Sequence, residues 1–218
     1  MRPEDIQLED VSNALADYER TLIINDSLFD QSMHHPQVLS EGARRGMTLF
    51  QGRAQCNSCH SMERQPAFFS DNQFHSLSVG LKNISLQLAT LTSRLVSARG
   101  QGLLDSSVLS DEQLAALGRF VVTLNPADIG KFRTPSLRNV AMTAPYMHDG
   151  SVATLEDAVD IEVYYRSNEA GRPLILTPAE RADLVEFLRS LTTPLSEVLI
   201  QAGLTPAGQI PSDAVSPH

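Results

Sequence analysis

The chain has 218 residues, of which 42% are hydrophobic and 20% are charged, and its formal net charge is −9. This length suits one domain with extensions, and the hydrophobic content suffices for a sizeable core. The negative charge argues against a nucleic-acid-binding protein, because the phosphate backbone would repel it, and the sequence has no apolar run long enough to cross a bilayer.

The first quarter of the chain predicts two helices. Apolar residues recur at helical spacing from Val11 to Ile24, which predicts an N-terminal helix over about residues 8–25. Ser40 is placed to cap a second helix that runs through Phe50. This second helix leads directly into the motif C-N-S-C-H at residues 56–60.

The pattern formed by Cys56, Cys59 and His60 is the attachment signature of a c-type haem. Each thiol can form a thioether with one haem vinyl group, and the histidine can bind the iron as proximal ligand. The chain has only two cysteines, so a zinc site would lack the second Cys pair that it usually needs. A thioredoxin-like redox pair needs an alternation of strands and helices that the surrounding sequence lacks. A structural disulfide at this spacing would be strained and would not require His60, so we predict one covalent haem c.

A long irregular connection follows. Residues 110–113 open an apolar stretch from Leu114 to Val122, and prolines and glycines then interrupt the segment from Asn125 to Ser151. A loop of this length in a compact domain is usually functional or disordered. This segment is too apolar for disorder, and we expect it to pack over one face of the haem. Its large apolar residues are Phe132, Leu137, Val140, Met142, Tyr146 and Met147.

Two further helices complete the predicted domain. Thr154 to Asp157 resembles a capping box, and Thr177 precedes a proline at the first helical position and an apolar stripe that ends at Leu191. Several short helices around one covalent haem predict an all-α, cytochrome c-like domain over residues 1–195, with long irregular loops and a haem core over about residues 40–192. Residues 196–218 are predicted to form a C-terminal tail.

Several segments resemble the di-haem cytochrome c peroxidase family, which includes MauG. The strongest matches are D-I-G-K-F-R-T-P-S-L-R-N at 128–139, T-A-P-Y-M-H-D-G at 143–150 and A-T-L-E-D-A-V at 153–159. Weaker matches lie upstream, and they are Y-E-R-T-L at 18–22, G-M-T-L-F at 46–50 and F-S-D-N-Q-F-H at 69–75. The motifs occur in the family's order, so together they are far more specific than C-x-x-C-H alone.

The resemblance covers the family's C-terminal, electron-accepting haem domain. The family's peroxide-binding N-terminal domain, with its own C-x-x-C-H motif, has no counterpart among these segments, and the chain has no tryptophan to match the one that bridges the two haems in the peroxidases. Residues 81–109 form an insertion relative to the family, and we expect it to fold as an extra helix or hairpin.

The resemblance also implies roles for the loop residues. The attachment residues carry over as thioether anchors and proximal ligand. Thr143 and Pro145 match positions whose backbone carbonyls help to bind calcium between the two domains, a site that needs further oxygens. His148 matches a histidine near the inter-haem region and is the candidate catalytic residue, with a hydrogen-bonded loop histidine as the alternative. His75 is expected to fix its loop.

The distal iron ligand departs from the family's pattern. The peroxidases have a methionine on the helix after the His-Asp-Gly motif, and MauG has a tyrosine there. Ungapped counting places Glu162 at this position, a shift of two or three residues would offer Tyr164 or Tyr165, and Met147 and Met142 are the nearest methionines. A thioether would raise the reduction potential and an anionic oxygen would lower it. Glu162 could instead be a solvated helix residue.

Two functions follow as expectations. The first is an electron-transfer domain of a cytochrome c peroxidase/MauG-type oxidoreductase, which accepts electrons from a small cytochrome or a cupredoxin and relays them to a second haem domain or subunit. The second is a stand-alone haem enzyme that reduces hydrogen peroxide or oxidises a partner at an open or labile distal site. Haem c attachment takes place outside the cytoplasm, so we expect the mature chain in the periplasm, although the acidic start of the chain shows no leader.

Overall fold

The computed structural model describes residues 6–21, 25–63, 66–169 and 173–194. The helices are α1 Leu8–Thr21, α2 Leu28–Ser32, α3 Glu41–Gln51, α4 Leu81–Ile84, α5 Leu88–Gly100, α6 Leu104–Ser110, α7 Glu112–Ala115, α8 Phe120–Thr123, α9 Leu155–Glu169 and α10 Pro178–Arg189. Two short strands, β1 Phe74–His75 and β2 Phe132–Arg133, pair antiparallel. The predicted all-α class is confirmed, with this small ribbon as an addition.

Two predictions concern residues that the structure does not describe or describes in part. The predicted N-terminal helix appears as α1, but residues 22–24 near its predicted end lie outside the described ranges. The predicted tail at 196–218 also lies outside them. None of the helices in the described ranges combines the length and the apolar character that crossing a membrane requires.

The predicted helix caps form. The Ser40 hydroxyl accepts a hydrogen bond from the amide of Ala43 at 3.0 Å and starts α3. Thr177 accepts from the Glu180 amide at 3.2 Å, and the Glu180 carboxylate accepts from the Thr177 amide at 2.8 Å, which completes a capping box at α10. Each cap satisfies backbone N–H groups that the helix leaves open.

The core lies where α3 packs against α10. A Cβ on Gly46 would stand 1.9 Å from the carbonyl oxygen of Asp183, so only glycine permits this close approach. Beside the contact, four phenylalanine rings meet edge to face with centroid separations of 5.0 to 6.3 Å, and none is more than 1% exposed. They are Phe29, Phe50, Phe69 and Phe187.

The insertion folds as helices around a second, smaller core. Residues 81–109, expected to fold as an extra helix or hairpin, form α4, α5 and most of α6. The buried side chains of this insertion join those of α7 and α8 in one apolar cluster, separate from the phenylalanine core. The members of this cluster are Ile84, Leu91, Leu95, Leu114, Leu117 and Phe120.

Arg138 joins the irregular segment to the core through hydrogen bonds. Its guanidinium donates to both carboxylate oxygens of Asp30 at 2.8 Å and to the carbonyl of Ala67 at 2.7 Å. The two charged side chains are only 11% and 12% exposed. Burial alone would raise the pKa of Asp30, but hydrogen bonds from Arg138 and Ser27 lower it more, and the net pKa lies below its ordinary value.

We expect Asp30→Asn to lower the free energy of unfolding at neutral pH by about 1.5–3 kcal/mol, the contribution typical of hydrogen bonds to charged groups. Because the folded-state pKa of Asp30 is depressed, its contribution is present above the unfolded pKa of about 3.9 and is lost as the pH falls through the folded pKa. Urea unfolding of both proteins from pH 7 down to pH 3 measures this difference.

The exposed variant Asp105→Asn in α6 is the control and should change stability little at any pH. A gap between the native protein and Asp30→Asn that stays constant down to pH 3 would contradict the ion pair.

Candidate functional site

The phenylalanine core, α9 and the irregular segment surround a cavity of about 560 Å³. This volume lies within the range of roughly 300–1,000 Å³ that small-molecule and cofactor sites occupy. All three residues of the C-x-x-C-H motif line it. Most of its other wall residues are apolar, and they include Phe50, Ala54, Leu77, Val79, Leu137, Val140, Leu155, Val159, Val163, Leu184 and Leu188.

A tight turn brings the motif to the cavity. Gln55 has a left-handed backbone with φ 57°, and Cys56–Ser58 then forms one turn of 3-10 helix. The amide of His60 donates to the carbonyl of Cys56 at 3.0 Å and closes the turn. The two thiols are not joined to each other, which leaves both sulfurs available for attachment to a group in the cavity.

The Cys56 thiol is held protonated. Burial, and after it the nearby carboxylate of Glu162, raises the pKa of Cys56 to about 12. A protonated thiol is a poor metal ligand and is slow to oxidise, since the thiolate is the reactive form. This environment argues against a catalytic redox pair, which depends on a reactive thiolate.

The His60 ring is held in one tautomer. Its Nδ1 lies 2.9 Å from the carbonyl oxygen of Phe69, which can only accept, so Nδ1 carries the proton and Nε2 keeps its lone pair. Burial lowers the pKa of His60 and favours the neutral ring, although the carbonyls of Phe69 and Pro135 act in the opposite direction. Metal-bound histidines commonly donate the second ring N–H in this way. The thiols, the imidazole and the apolar cavity therefore fit a covalently attached haem.

Helix α9 supplies one wall of the cavity. Its lining residues lie three or four positions apart, which places them on one helical face. They are Leu155, Ala158, Val159, Glu162, Val163 and Arg166.

The structure separates the candidate distal ligands. Glu162 and Met147 both line the cavity. Tyr165 lies off the cavity-lining face of α9. Its ring centroid lies 5.3 Å from that of Tyr164, and the residue lines a neighbouring pocket of about 520 Å³. Met142 is 54% exposed and is not among the lining residues. Glu162 and Met147 are thus the candidates that share the cavity with His60.

His148 occupies a defined position at the cavity. Its ring stacks on Phe132 with centroids 3.8 Å apart and an interplanar angle of 17°. Burial lowers the pKa of His148, and the nearby Asp149 carboxylate acts against this shift. Thr143 and Pro145 also line the cavity, and a calcium-binding role for their carbonyls remains a prediction.

His75 pairs with an acidic residue four positions earlier in the sequence. Its Nε2 lies 2.7 Å from a carboxylate oxygen of Asp71, whose amide donates to the carbonyl of Cys59 at 2.7 Å. The potential ligand atoms of Cys59, Asp71 and His75 lie within 4.8 Å of one another. Three ligands fall short of the four of a structural zinc site, and Cys59 belongs to the haem motif.

Arg166 is a further cavity residue that sequence reasoning missed. Its guanidinium reaches from α9 to the turn that begins the C-x-x-C-H motif, where it donates to Gln55 and Ser58. The available signal was the periodicity of α9, because Arg166 follows Glu162 by four positions and shares its face.

Comparisons with known proteins identify relatives. A scan of family models finds no match. The chain is 32% identical over 217 residues to cytochrome-c peroxidase IdrP1 of Pseudomonas sp. strain SCT, covering 93% of this chain and 54% of the relative. It is 32% identical over 196 residues to the methylamine utilization protein MauG of Methylorubrum extorquens, covering 86% of this chain and 45% of that protein.

A solved structure agrees with these relatives. The crystal structure of a MauG-like protein associated with microbial copper homeostasis matches with a TM-score of 0.61 and 26% identity, over 94% of this chain and 62% of that chain. The chain spans about half the length of the curated relatives that it matches.

Proposed function

Because this chain is a homologue of the cytochrome-c peroxidases and MauG proteins, we propose that it is a c-type haem domain that accepts and relays electrons in an oxidoreductase of that type. The observation that carries the proposal is the shared cavity of Cys56, Cys59 and His60, with the His60 ring oriented by Phe69. A haem bound there would supply one-electron iron redox chemistry.

The protein's own residues set the conditions for that chemistry. Cys56 and Cys59 would anchor the group, and the Phe69 carbonyl fixes the His60 tautomer and ring orientation. The apolar wall limits access of water, which would raise the reduction potential of a haem bound in the cavity by disfavouring the more highly charged oxidised state. An ionised Glu162 carboxylate would lower that potential.

The proposed partners complete an electron path. The electron donor would be a small cytochrome or a cupredoxin, and the acceptor a second haem domain or subunit. Two observations support this proposal: the chain matches about half of relatives that are themselves peroxidases or MauG, and its net charge of −9 suits docking of a basic redox protein. We place this chemistry in the periplasm, where haem c is attached.

A second function is supported by polar groups at the cavity. Glu162 and His148 both line it, and a carboxylate and an imidazole can move protons during peroxide reduction. On this alternative the chain would be a haem enzyme in its own right, reducing hydrogen peroxide or oxidising a partner. Ferric spectra separate the two functions, because the relay predicts low-spin iron that does not react with peroxide and the enzyme predicts high-spin iron with a rapid spectral change.

We expect Glu162→Gln to alter the optical and EPR spectra of the ferric protein and to raise its reduction potential, because an anionic oxygen near the iron favours the ferric state. Tyr165→Phe is the matched control from the same helix and should leave both unchanged, since Tyr165 lies off the cavity face. Potentiometric titration of both variants measures the effect.

Unchanged spectra and potential in Glu162→Gln would remove Glu162 from the iron's surroundings. Met147→Leu should then produce the change instead, because Met147 is the other cavity-lining candidate.

A further inference from the structure

Arg166 places a positive charge in the wall of the cavity, beside the C-x-x-C-H motif. It lies on the cavity-lining face of α9, one turn after Glu162. Its Nη2 donates to the carbonyl of Gln55 at 3.1 Å and to the hydroxyl of Ser58 at 2.5 Å, and these bonds fix the guanidinium in place. The same nitrogen lies 3.5 Å from the sulfur of Cys59. Because arginine keeps its proton in proteins, this charge is permanent.

Arg166 and Glu162 are opposite charges on one face of α9. Among the described residues that line the cavity, Glu162 is the one carboxylate. Both charges act on the motif. Burial is the main cause of the raised pKa of Cys56, and Glu162 raises this pKa further while Arg166 lowers it. Burial is also the main cause of the lowered pKa of His60, and the Arg166 charge adds to that shift. The field of Arg166 therefore reaches both ends of the motif.

We propose that Arg166 raises the reduction potential of the haem, as a fixed positive charge that opposes Glu162. This inference rests on the proposed haem function. A group bonded to the Cys59 sulfur would have the guanidinium beside that bond. Reduction adds one electron from the donor protein to the iron and lowers the net charge there by one, with no bond formed or broken. A nearby cation stabilises the less positive, ferrous state, and partial burial limits the screening of this attraction by salt.

The test is potentiometric titration of the haem-loaded protein, comparing Arg166→Gln with the native chain. We expect the ratio of ferrous to ferric protein at a fixed applied potential to fall by about tenfold, the effect of one charge at roughly 10 Å in an effective dielectric of about 20. For a one-electron couple this is a fall of about 59 mV. The ferric optical spectrum should match that of the native protein, because Arg166 is not an iron ligand in this proposal.

Two further variants separate charge from other effects. Arg166→Lys keeps the charge but cannot bridge Gln55 and Ser58, so it should retain most of the native potential. A fall as large as that of Arg166→Gln would show that the hydrogen bonds act and not the charge, against the proposal. Arg94→Gln removes an exposed arginine that pairs with Asp111 away from the cavity, and it should leave the potential unchanged.

A Glu162→Gln background distinguishes a direct effect of Arg166 from one exerted through the carboxylate. In that background, Arg166→Gln should still lower the potential by a similar factor, since the guanidinium would act on the iron itself. Equal potentials for Glu162→Gln and the double variant would overturn the proposal, because Arg166 would then act only by neutralising Glu162.

An unchanged potential in Arg166→Gln would reject the role of Arg166 and leave the haem function intact. A fall accompanied by a changed ferric spectrum would also reject it, since altered ligation would then be the cause. A native chain without covalent haem would overturn the haem function itself. If circular dichroism shows that Arg166→Gln misfolds, Arg166→Met carries the test, because its long apolar side chain lacks the charge. The same fall is expected there, and a native potential would reject the proposal.

Discussion

Replacing both Cys56 and Cys59 with alanine is expected to abolish covalent haem in chains produced with a cytochrome c maturation system. The structure brings both sulfurs to one cavity and shows no bond between them, and the sequence has no other cysteine that could form a thioether. The measurement is haem absorbance that stays with the polypeptide after acid–acetone extraction, together with the mass of the intact chain. In the double variant the absorbance should fall to background, and the mass should equal that of the polypeptide without haem.

The single variants sharpen this result. Cys56→Ala and Cys59→Ala should each keep haem through the remaining thioether. Ser93→Ala in α5, far along the chain from the motif, is the control and should retain both bonds. Covalent haem in the double variant would contradict the assignment of the attachment site.

The second large effect concerns the aromatic core. Phe187→Ala should lower the free energy of unfolding by about 3–5 kcal/mol, the usual cost of truncating a buried phenylalanine. Phe187 has no exposed surface, and its ring contacts those of Phe29, Phe50 and Phe69 at centroid separations of 5.2 to 6.3 Å. The loss combines the transfer of the ring from water with the cavity that it leaves.

Chemical denaturation measures this loss, and the chain offers a matched control. Phe68 is 41% exposed and lies next to Phe69 in sequence, so Phe68→Ala should cost far less. Equal losses in the two variants would show that the phenylalanine cluster does not form the core. A loss in Phe187→Ala below about 1 kcal/mol would mean that the site collapses without leaving a cavity.

Local signals in the sequence were sufficient to predict those features whose physical cause lies within a few residues. Ser40 and Thr177 cap their helices through bonds to amides three residues away, and such patterns are readable in one chain. The C-x-x-C-H motif is equally local. The prediction of an irregular segment over residues 125–151 also agrees with the structure, where it contains short 3-10 turns and a two-residue strand, because proline and glycine act on their own backbone.

Contacts between distant residues could not be predicted in this way. Arg138 meets Asp30, and Arg166 meets Ser58, across more than half of the described chain. Charge and residue type alone do not say which arginine will find which partner. The relation between Glu162 and Tyr165 is different, because the spacing of apolar residues in α9 already distinguishes the two faces, and applying it would have favoured Glu162 as the cavity residue.

Phe69 contributes both to the packing of the core and to the orientation of His60. Its ring belongs to the phenylalanine core, and its carbonyl accepts the hydrogen bond that orients His60. A substitution that repacks the core would move this carbonyl and alter the basicity of the imidazole, which tunes a bound metal. A substitution at Phe69 should therefore change both the stability of the core and the properties of a metal bound to His60.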